Sequence, residues 1–155
     1  MHEFTVARRL REVGVREYVA VHASHRRSSR SKLRDSEPLF PGYVFCFLDL
    51  RTGPRLYAIP GVLRIVGHGG RPMPIEDKEM ALVRSIADSG LPVDSVPALQ
   101  CGDRILLTAG PLEGLSGMFV RSAQGNKFVV SLPLLQRSLA IRVPSEWVAP
   151  QRNPC

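Results

Sequence analysis

His22 and His25 stand in the H-x-x-H spacing that lets a short segment offer two imidazoles to a metal. A metal site needs more ligands than two. No Cys, Asp or Glu follows until Asp35, so two solvated loop histidines are the simpler reading and no metal is expected. Glu76, Asp77 and Glu79 have the clustering of acid and base catalysts, but they open a helical pattern, where negative charge complements the positive end of the helix dipole. Cys46, Cys101 and Cys155 are odd in number, far apart and never in a C-x-x-C pair, which points to reduced thiols rather than a disulfide framework or a zinc site. No nucleophile motif, P-loop or dinucleotide fingerprint occurs. The expectation is a protein that is not an enzyme, with no catalytic residues and no cofactor.

The chemistry that remains is binding. The formal charge is +7, with 15 basic and 10 acidic side chains over residues 1–90 and 6 against 4 over residues 91–155. Between His22 and Arg34 the chain carries Arg26, Arg27, Arg30, Lys32 and Arg34, four serines and no carboxylate. That run reads equally as a solvated hairpin connection and as a phosphate-contacting arm whose grip would weaken with salt; no aromatic is interleaved for base stacking. The second binding candidate is Pro38-Leu39-Phe40-Pro41-Gly42-Tyr43-Val44-Phe45-Cys46-Phe47-Leu48. Pro41 presets φ for the second position of a type II turn and Gly42 accepts the positive φ of the third. The strand that follows puts Tyr43, Phe45 and Phe47 on one face and Val44, Cys46 and Leu48 on the other. Both faces are apolar, so the strand is either buried on both sides, the plainer reading, or keeps its aromatic face for a partner.

The elements that position these residues fall in two groups. Glu3 to Val13 has an amphipathic helical pattern closed by Gly14, residues 16–22 favour a strand, and the basic run joins that strand to the Tyr43–Leu48 strand as a long-looped hairpin. A short helix fits around Arg55–Ala58, then Ile59-Pro60-Gly61-Val62 repeats the Pro-Gly device and Val62 to Val66 reads as a strand ended by Gly67, Gly69 and Gly70. A second helix begins at Ile75-Glu76-Asp77, buries Met80, Val83 and Ala87 flanked by Leu82 and Ile86, and stops at Gly90. Residues 91–99, with two prolines and no helical period, read as a semi-stiff linker. Beyond it come short strands at Arg104–Thr108, Gly117–Ser122, Lys127–Leu132 and Leu139–Val143 and a last piece at Trp147, with glycines 110, 114 and 117 at tight corners. This is the pattern of a small β-barrel. The fold class is α+β: an α/β sandwich over residues 1–90, a linker at 91–99 and a barrel over 100–150. No apolar run approaches a membrane span, and the first residues are charged where a signal peptide would be apolar, so a cytoplasmic protein without membrane contact is expected.

Pro38-Leu-Phe-Pro-Gly-Tyr-Val-Phe45, followed by Ile59-Pro-Gly-Val62 and Val66-Gly67, resembles the signature of the NusG N-terminal (NGN) domain. Gly102-Asp103-Arg104 through Ala109-Gly110-Pro111-Leu112-Glu113-Gly114-Leu115-Ser116-Gly117 resembles the KOW motif of that family's SH3-like C-terminal barrel. The resemblance covers nearly the whole chain in the right order. It implies a monomeric transcription elongation or antitermination factor whose N-terminal part docks on the clamp helices of the RNA polymerase β′ subunit beside upstream, non-template DNA. The positions matching the docking patch are Phe40, Tyr43, Phe45, Ile59 and Val62. The positions matching the barrel's contact with Rho or a small-subunit ribosomal protein are Leu112, Leu115, Leu134 and Leu135. Leucines where the housekeeping factor has aromatics resemble the specialised paralogues of the RfaH and polysaccharide-operon antiterminator kind. The alternative is a ribosome-associated or general RNA-binding KOW protein, which the few basic and aromatic residues between 100 and 150 disfavour.

The resemblance also sets an expectation about the start. In the specialised paralogues a strand and an Arg-His-Glu segment precede the first helix; here His2-Glu3-Phe4 matches only the latter part, and the first strand is missing. A sheet short of about ten strand residues would leave backbone groups unpaired. The expectation is therefore a natural start upstream of Met1, or a truncated and weakly stable form.

Overall fold

The computed structural model describes residues 2–23, 36–49, 53–97, 103–122 and 125–150. Helix α1 spans Glu3–Glu12 and buries Val6, Ala7 and Leu10, which helical spacing gathers on one side. It ends at Gly14, whose φ of +78° favours a residue without a Cβ and whose N–H reaches the Arg11 carbonyl at 3.0 Å. The strand expected over 16–22 is divided. Strand β1 (Arg16–Tyr18) and strand β2 (Val21–Ala23) pair antiparallel with different stretches of the returning chain, β3 (Ser36–Pro38) with β2 and β4 (Phe45–Phe47) with β1. The division sits opposite the Pro41-Gly42 turn. That turn takes Leu39 to Val44 off the ladder, leaving the Leu39 N–H on the Ala20 carbonyl at 2.7 Å as the bridge between the two halves. The type II expectation is met where it matters: Gly42 has φ +86° and the Tyr43 N–H bonds the Phe40 carbonyl at 3.0 Å.

Helix α2 covers Gly53–Leu56, and the hairpin β5 (Gly67–His68) and β6 (Arg71–Pro72) uses Gly69 and Gly70 at its tip. The strand expected over residues 62–66 does not form. Among the described residues the backbone bonds there run from the Val62 N–H to the Ile59 carbonyl and from the Met73 N–H to the Val66 carbonyl, and no ladder partner lies alongside. An accessible segment without such a neighbour turns its N–H and C=O groups to water rather than to a ladder and is not a strand. Among the described residues β4 pairs with β1 alone. Helix α3 (Asp77–Asp88) starts with a capping box in which the Glu79 carboxylate accepts from the Glu76 N–H at 3.4 Å, while Lys78 pairs with Glu76 at 2.7 Å. The acidic cluster thus begins a helix. Its buried side chains are Val83 and Ile86, with Met80 and Ala87 half-buried beside them, so the stripe lies slightly round the helix from the Met80-Val83-Ala87 line.

The main departure from expectation is the linker. Residues Val93–Pro97 form β7, which pairs with β11 (Arg137–Arg142) from Val93 opposite Ile141 to Pro97 opposite Arg137. Two prolines do not prevent this, because β7 is an edge strand and needs donors on one side only. With β8 (Asp103–Leu107), β9 (Ser116–Ser122), β10 (Gly125–Leu132) and β12 (Val148–Pro150) they make a six-stranded antiparallel sheet in the order β12-β8-β9-β10-β11-β7. Of the glycines expected at tight corners, Gly110 and Gly114 take positive φ, whereas Gly117 lies within β9 rather than at a corner and is kept small by packing. Gly110 has φ +85°, and a Cβ there would stand 2.4 Å from the Trp147 ring; a Cβ on Gly117 would meet Phe128 at 2.6 Å.

Two apolar clusters result. One gathers Val6, Leu10, Val15, Leu56 and Ile59 under α1. The other joins Ala20, Leu39, Phe40, Val83 and Ile86 to the inner residues of the six-stranded sheet, among them Val93, Leu107, Phe128, Leu135 and Ile141.

Candidate protein-binding face

The Pro41-Gly42 turn and β4 carry the candidate docking residues, and the two faces of β4 go to different clusters. Tyr43 and Phe45 pack with buried Phe40 on the cluster shared with the six-stranded sheet. Val44, Cys46 and Leu48 pack on the cluster under α1 together with Ile59 and Val62. The five residues Phe40, Tyr43, Phe45, Ile59 and Val62 are therefore not one continuous patch. They form an aromatic group and an aliphatic group on opposite faces of the strand. Phe40 is 2% and Ile59 7% exposed, so both are core.

The aromatic group has a defined geometry. Phe45 meets Phe40 edge-on, with ring centroids 5.7 Å apart and planes at 82°, and meets Tyr18 at 6.2 Å. The Arg84 guanidinium lies over the Tyr18 ring, 5.4 Å from its centroid. Burial, with the Asp88 charge adding to it, pushes the Tyr18 phenol above its ordinary range, and Arg84 works against both. Phe47 continues the face into solvent and is 81% exposed. Tyr18 and Arg84 escape a motif search because each belongs to an element whose signal is only its period; the register of Tyr18 opposite Phe45 shows their place.

The turn is tied down from both sides. Its Gly42 N–H donates to the Glu3 carboxylate at 2.8 Å. The Glu3 backbone N–H and then that of Gly42 hold the carboxyl below the usual glutamate range. On the other side the Tyr43 hydroxyl donates to the Leu135 carbonyl at 3.3 Å. On the reverse face of β4 burial pushes the Cys46 thiol up, which suppresses the thiolate and its reactivity.

The leucines matched to the barrel's partner contact divide in the same manner. Leu112 is 2% and Leu135 6% exposed, both within the large cluster, while Leu115 and Leu134 are half-buried. Arg26, Arg27, Arg30, Lys32 and Arg34, with His25, lie outside the described residues. Among the described residues no group of His, Cys, Asp and Glu has the geometry to hold a metal ion, and no helix is long and apolar enough to cross a membrane. What is assembled is a largely apolar face held by hydrogen bonds at the Pro41-Gly42 turn.

Comparison with known proteins agrees with the architecture. Over 83 residues, 52% of this chain, the sequence is 28% identical to the transcription termination/antitermination protein NusG of Campylobacter jejuni, and the match takes in 46% of that protein, less than half its length. A solved structure described as domain interaction in Thermotoga maritima NusG superposes with a TM-score of 0.58 at 22% identity, over 97% of this chain and 89% of that one, a likeness of fold. The family described as transcription termination factor NusG matches residues 1–84, more than half of the sequence and all of the Pro41-Gly42 turn, and the chain belongs to the NusG family.

Proposed function

We propose that this chain is a cytoplasmic transcription factor that binds RNA polymerase at the clamp helices through the aromatic face of β4, with Tyr43 and Phe45 as anchors and Phe47 at the rim. Binding there favours processive elongation and antitermination. The observation that carries the reading is the pairing of a family-matched turn with an aromatic strand face, of which Phe47 is left 81% exposed. An exposed phenylalanine beside half-buried aromatics is the composition of an interface centre, where a few such anchors supply most of the affinity. The basic residues between 26 and 34 add salt-sensitive attraction to nearby DNA. The leucines at 112, 115, 134 and 135 favour a specialised, operon-directed factor over a Rho partner.

The test uses purified core RNA polymerase and the full chain. Phe47→Ala removes an exposed ring at no cost to the core, whereas Phe40→Ala would leave a core cavity worth about 3–5 kcal/mol and prove nothing about contact. The double variant Y43A/F47A is expected to bind at least tenfold more weakly with its fold intact. Wild-type affinity in that variant rules out this face. Retention of ribosomes rather than polymerase, lost on nuclease treatment, supports the RNA-binding alternative.

A further inference from the structure

The face that carries Phe45 and Phe47 is shared by the residues opposite them on β1, because directly paired residues of an antiparallel ladder project to the same side. The register sets Tyr18 opposite Phe45 and Arg16 opposite Phe47, and turns Glu17 to the reverse side, where its carboxylate accepts from Arg11 Nε at 3.0 Å. A second guanidinium reaches the face from α3: Arg84 lies over the Tyr18 ring, 5.4 Å from its centroid. Arg16 and Arg84 are exposed, as Phe47 is. Among the described residues neither arginine stands within ion-pair distance of a carboxylate, although Arg8, Arg11, Lys78 and Lys127 each do. Asp88 is one turn beyond Arg84 and its charge reaches the Tyr18 phenol, yet it forms no ion pair with that guanidinium. Two cations thus border the aromatic group without a countercharge bound to them.

The setting of Arg84 is what an arginine needs to read a carboxylate. Buried Val83 and Ile86 seat the helix on either side of it, so its backbone is fixed. The ring beneath narrows the choice of rotamers, which lowers the entropy lost when the side chain is immobilised by a partner. A guanidinium held on a ring keeps the donors at its edge free for bidentate pairing. Arg16 comes two residues before Tyr18, about 7 Å away along β1. Carboxylates four residues apart on a helix stand about 6 Å apart along its axis. One helix lying along the strands can therefore offer an acid to each arginine from one edge and its apolar stripe to Phe45 and Phe47. A nucleic acid fits less well: Arg84 takes a face of Tyr18 and Phe40 engages Phe45 edge-on, with planes at 82°, which leaves Phe47 to stack on a base.

We propose that Arg16 and Arg84 are specificity contacts for a helix that carries carboxylates beside its apolar stripe. The proposal deepens the polymerase reading and rests on it for the identity of the partner: the polymerase helix that meets Phe47 presents an acid to each arginine. Exposed charges at an interface govern on-rate and choice of partner more than raw affinity, so the aromatic contacts hold the helix and the arginines select it.

The test uses the full chain as wild type, Arg16→Glu, Arg84→Glu, the double reversal and Phe47→Ala, with thermal melts to check that each keeps its fold. Two probes are titrated: purified core RNA polymerase, and a synthetic helical peptide of about 20 residues with leucines along one side flanked by glutamates, beside the same peptide with glutamines. Each reversal should weaken binding of polymerase and of the glutamate peptide about tenfold at low salt, and the difference should narrow as salt screens the charges. Wild type should prefer the glutamate peptide to the glutamine peptide about tenfold, and the double reversal should lose that preference, a selectivity that a merely structural role would not move. Arg84→Lys keeps the charge without the planar fork and should lose about threefold. Equal affinity of wild type for the two peptides overturns the proposal. So does unchanged polymerase binding by the double reversal where Phe47→Ala weakens it, and in that case the polymerase reading stands. If the glutamate preference and its loss appear as stated while no form binds polymerase, the acidic-helix site stands and the polymerase reading falls. Single-stranded DNA that displaces the peptide from wild type and is itself lost on reversal makes this a nucleic-acid face and overturns the proposal.

Discussion

The Tyr43 hydroxyl donates to the Leu135 carbonyl across 3.3 Å, joining the Pro41-Gly42 turn to the 3₁₀ turn Pro133–Leu135 between β10 and β11. Each of the two groups is occupied by the other. The hydroxyl, not the ring, is what an alternative partner must replace, because a half-buried donor left without an acceptor costs more than the original bond contributed.

Tyr43→Phe is accordingly expected to lower stability by about 0.5–1.5 kcal/mol, the usual net contribution of one such bond, while Tyr43→Ala should cost more because the ring leaves its packing against the cluster as well. Urea denaturation followed by fluorescence of Trp147, the single tryptophan, measures both. Equal stability in wild type and Tyr43→Phe would mean that the hydroxyl exchanges Leu135 for water without loss.

Gly110 and Gly114 allow two contributions to be separated. Both hold positive φ, +85° and +84°, so alanine at either costs about 1 kcal/mol in backbone strain. Only Gly110 faces the Trp147 ring, at 2.4 Å from an added Cβ, while the space at Gly114 is open. Gly110→Ala should therefore destabilise by about 1–3 kcal/mol more than Gly114→Ala, the range for overpacking, and should shift the Trp147 emission of the native state. Similar losses in the two variants would show that the ring moves aside freely.

The contrast between these glycines and the docking residues shows what the sequence made legible. Turn chemistry is local, so Gly14 and Gly90 as helix ends, Gly42 as a turn residue and Gly110 and Gly114 as corners could be placed from their neighbours, and all five take positive φ, while Gly117, expected at a corner, lies within β9. Helices α1 and α3 declared themselves through period and end signals. Pairing is not local. Val62 to Val66 has strand composition and no partner, whereas 93–97 has two prolines flanking or ending it and finds β11. Alternation along β4 correctly separated its two faces but did not say that Ile59 and Val62 join the Cys46 face and Phe40 the other. That assignment depends on which side α1 and the six-stranded sheet take, a tertiary choice absent from any short window.

Glu3 makes stability depend on pH. Its folded carboxyl is held below the ordinary range by its own N–H and by Gly42's, so the ionised form stabilises the fold at pH values above the unfolded value, about 4.3, and that contribution is lost as pH falls through the folded value. Between neutrality and pH 5 wild type and Glu3→Gln should therefore differ by a constant amount in favour of wild type. Below about pH 4 the gap should close. Thermal melts at a series of pH values read this directly, and a gap that widens on acidification would place the stabilising charge elsewhere.

The basic residues give the last prediction. Each phosphate neutralised by an arginine releases condensed counterions, which appears as roughly 0.9 of a unit in the slope of log K against log salt on duplex DNA and about 0.7 on single strands. If Arg26, Arg27 and Arg30 each hold one phosphate, replacing all three with serine should flatten the slope by about two to three units and weaken binding at low salt, leaving the affinities converging as salt rises. Melting temperatures measured alongside distinguish a loss of phosphate contacts from a loss of fold. Titrating DNA of random sequence at several salt concentrations separates the two readings of this run: a slope unchanged by the triple substitution makes it a solvated connection and moves the DNA contact to another basic surface of the chain.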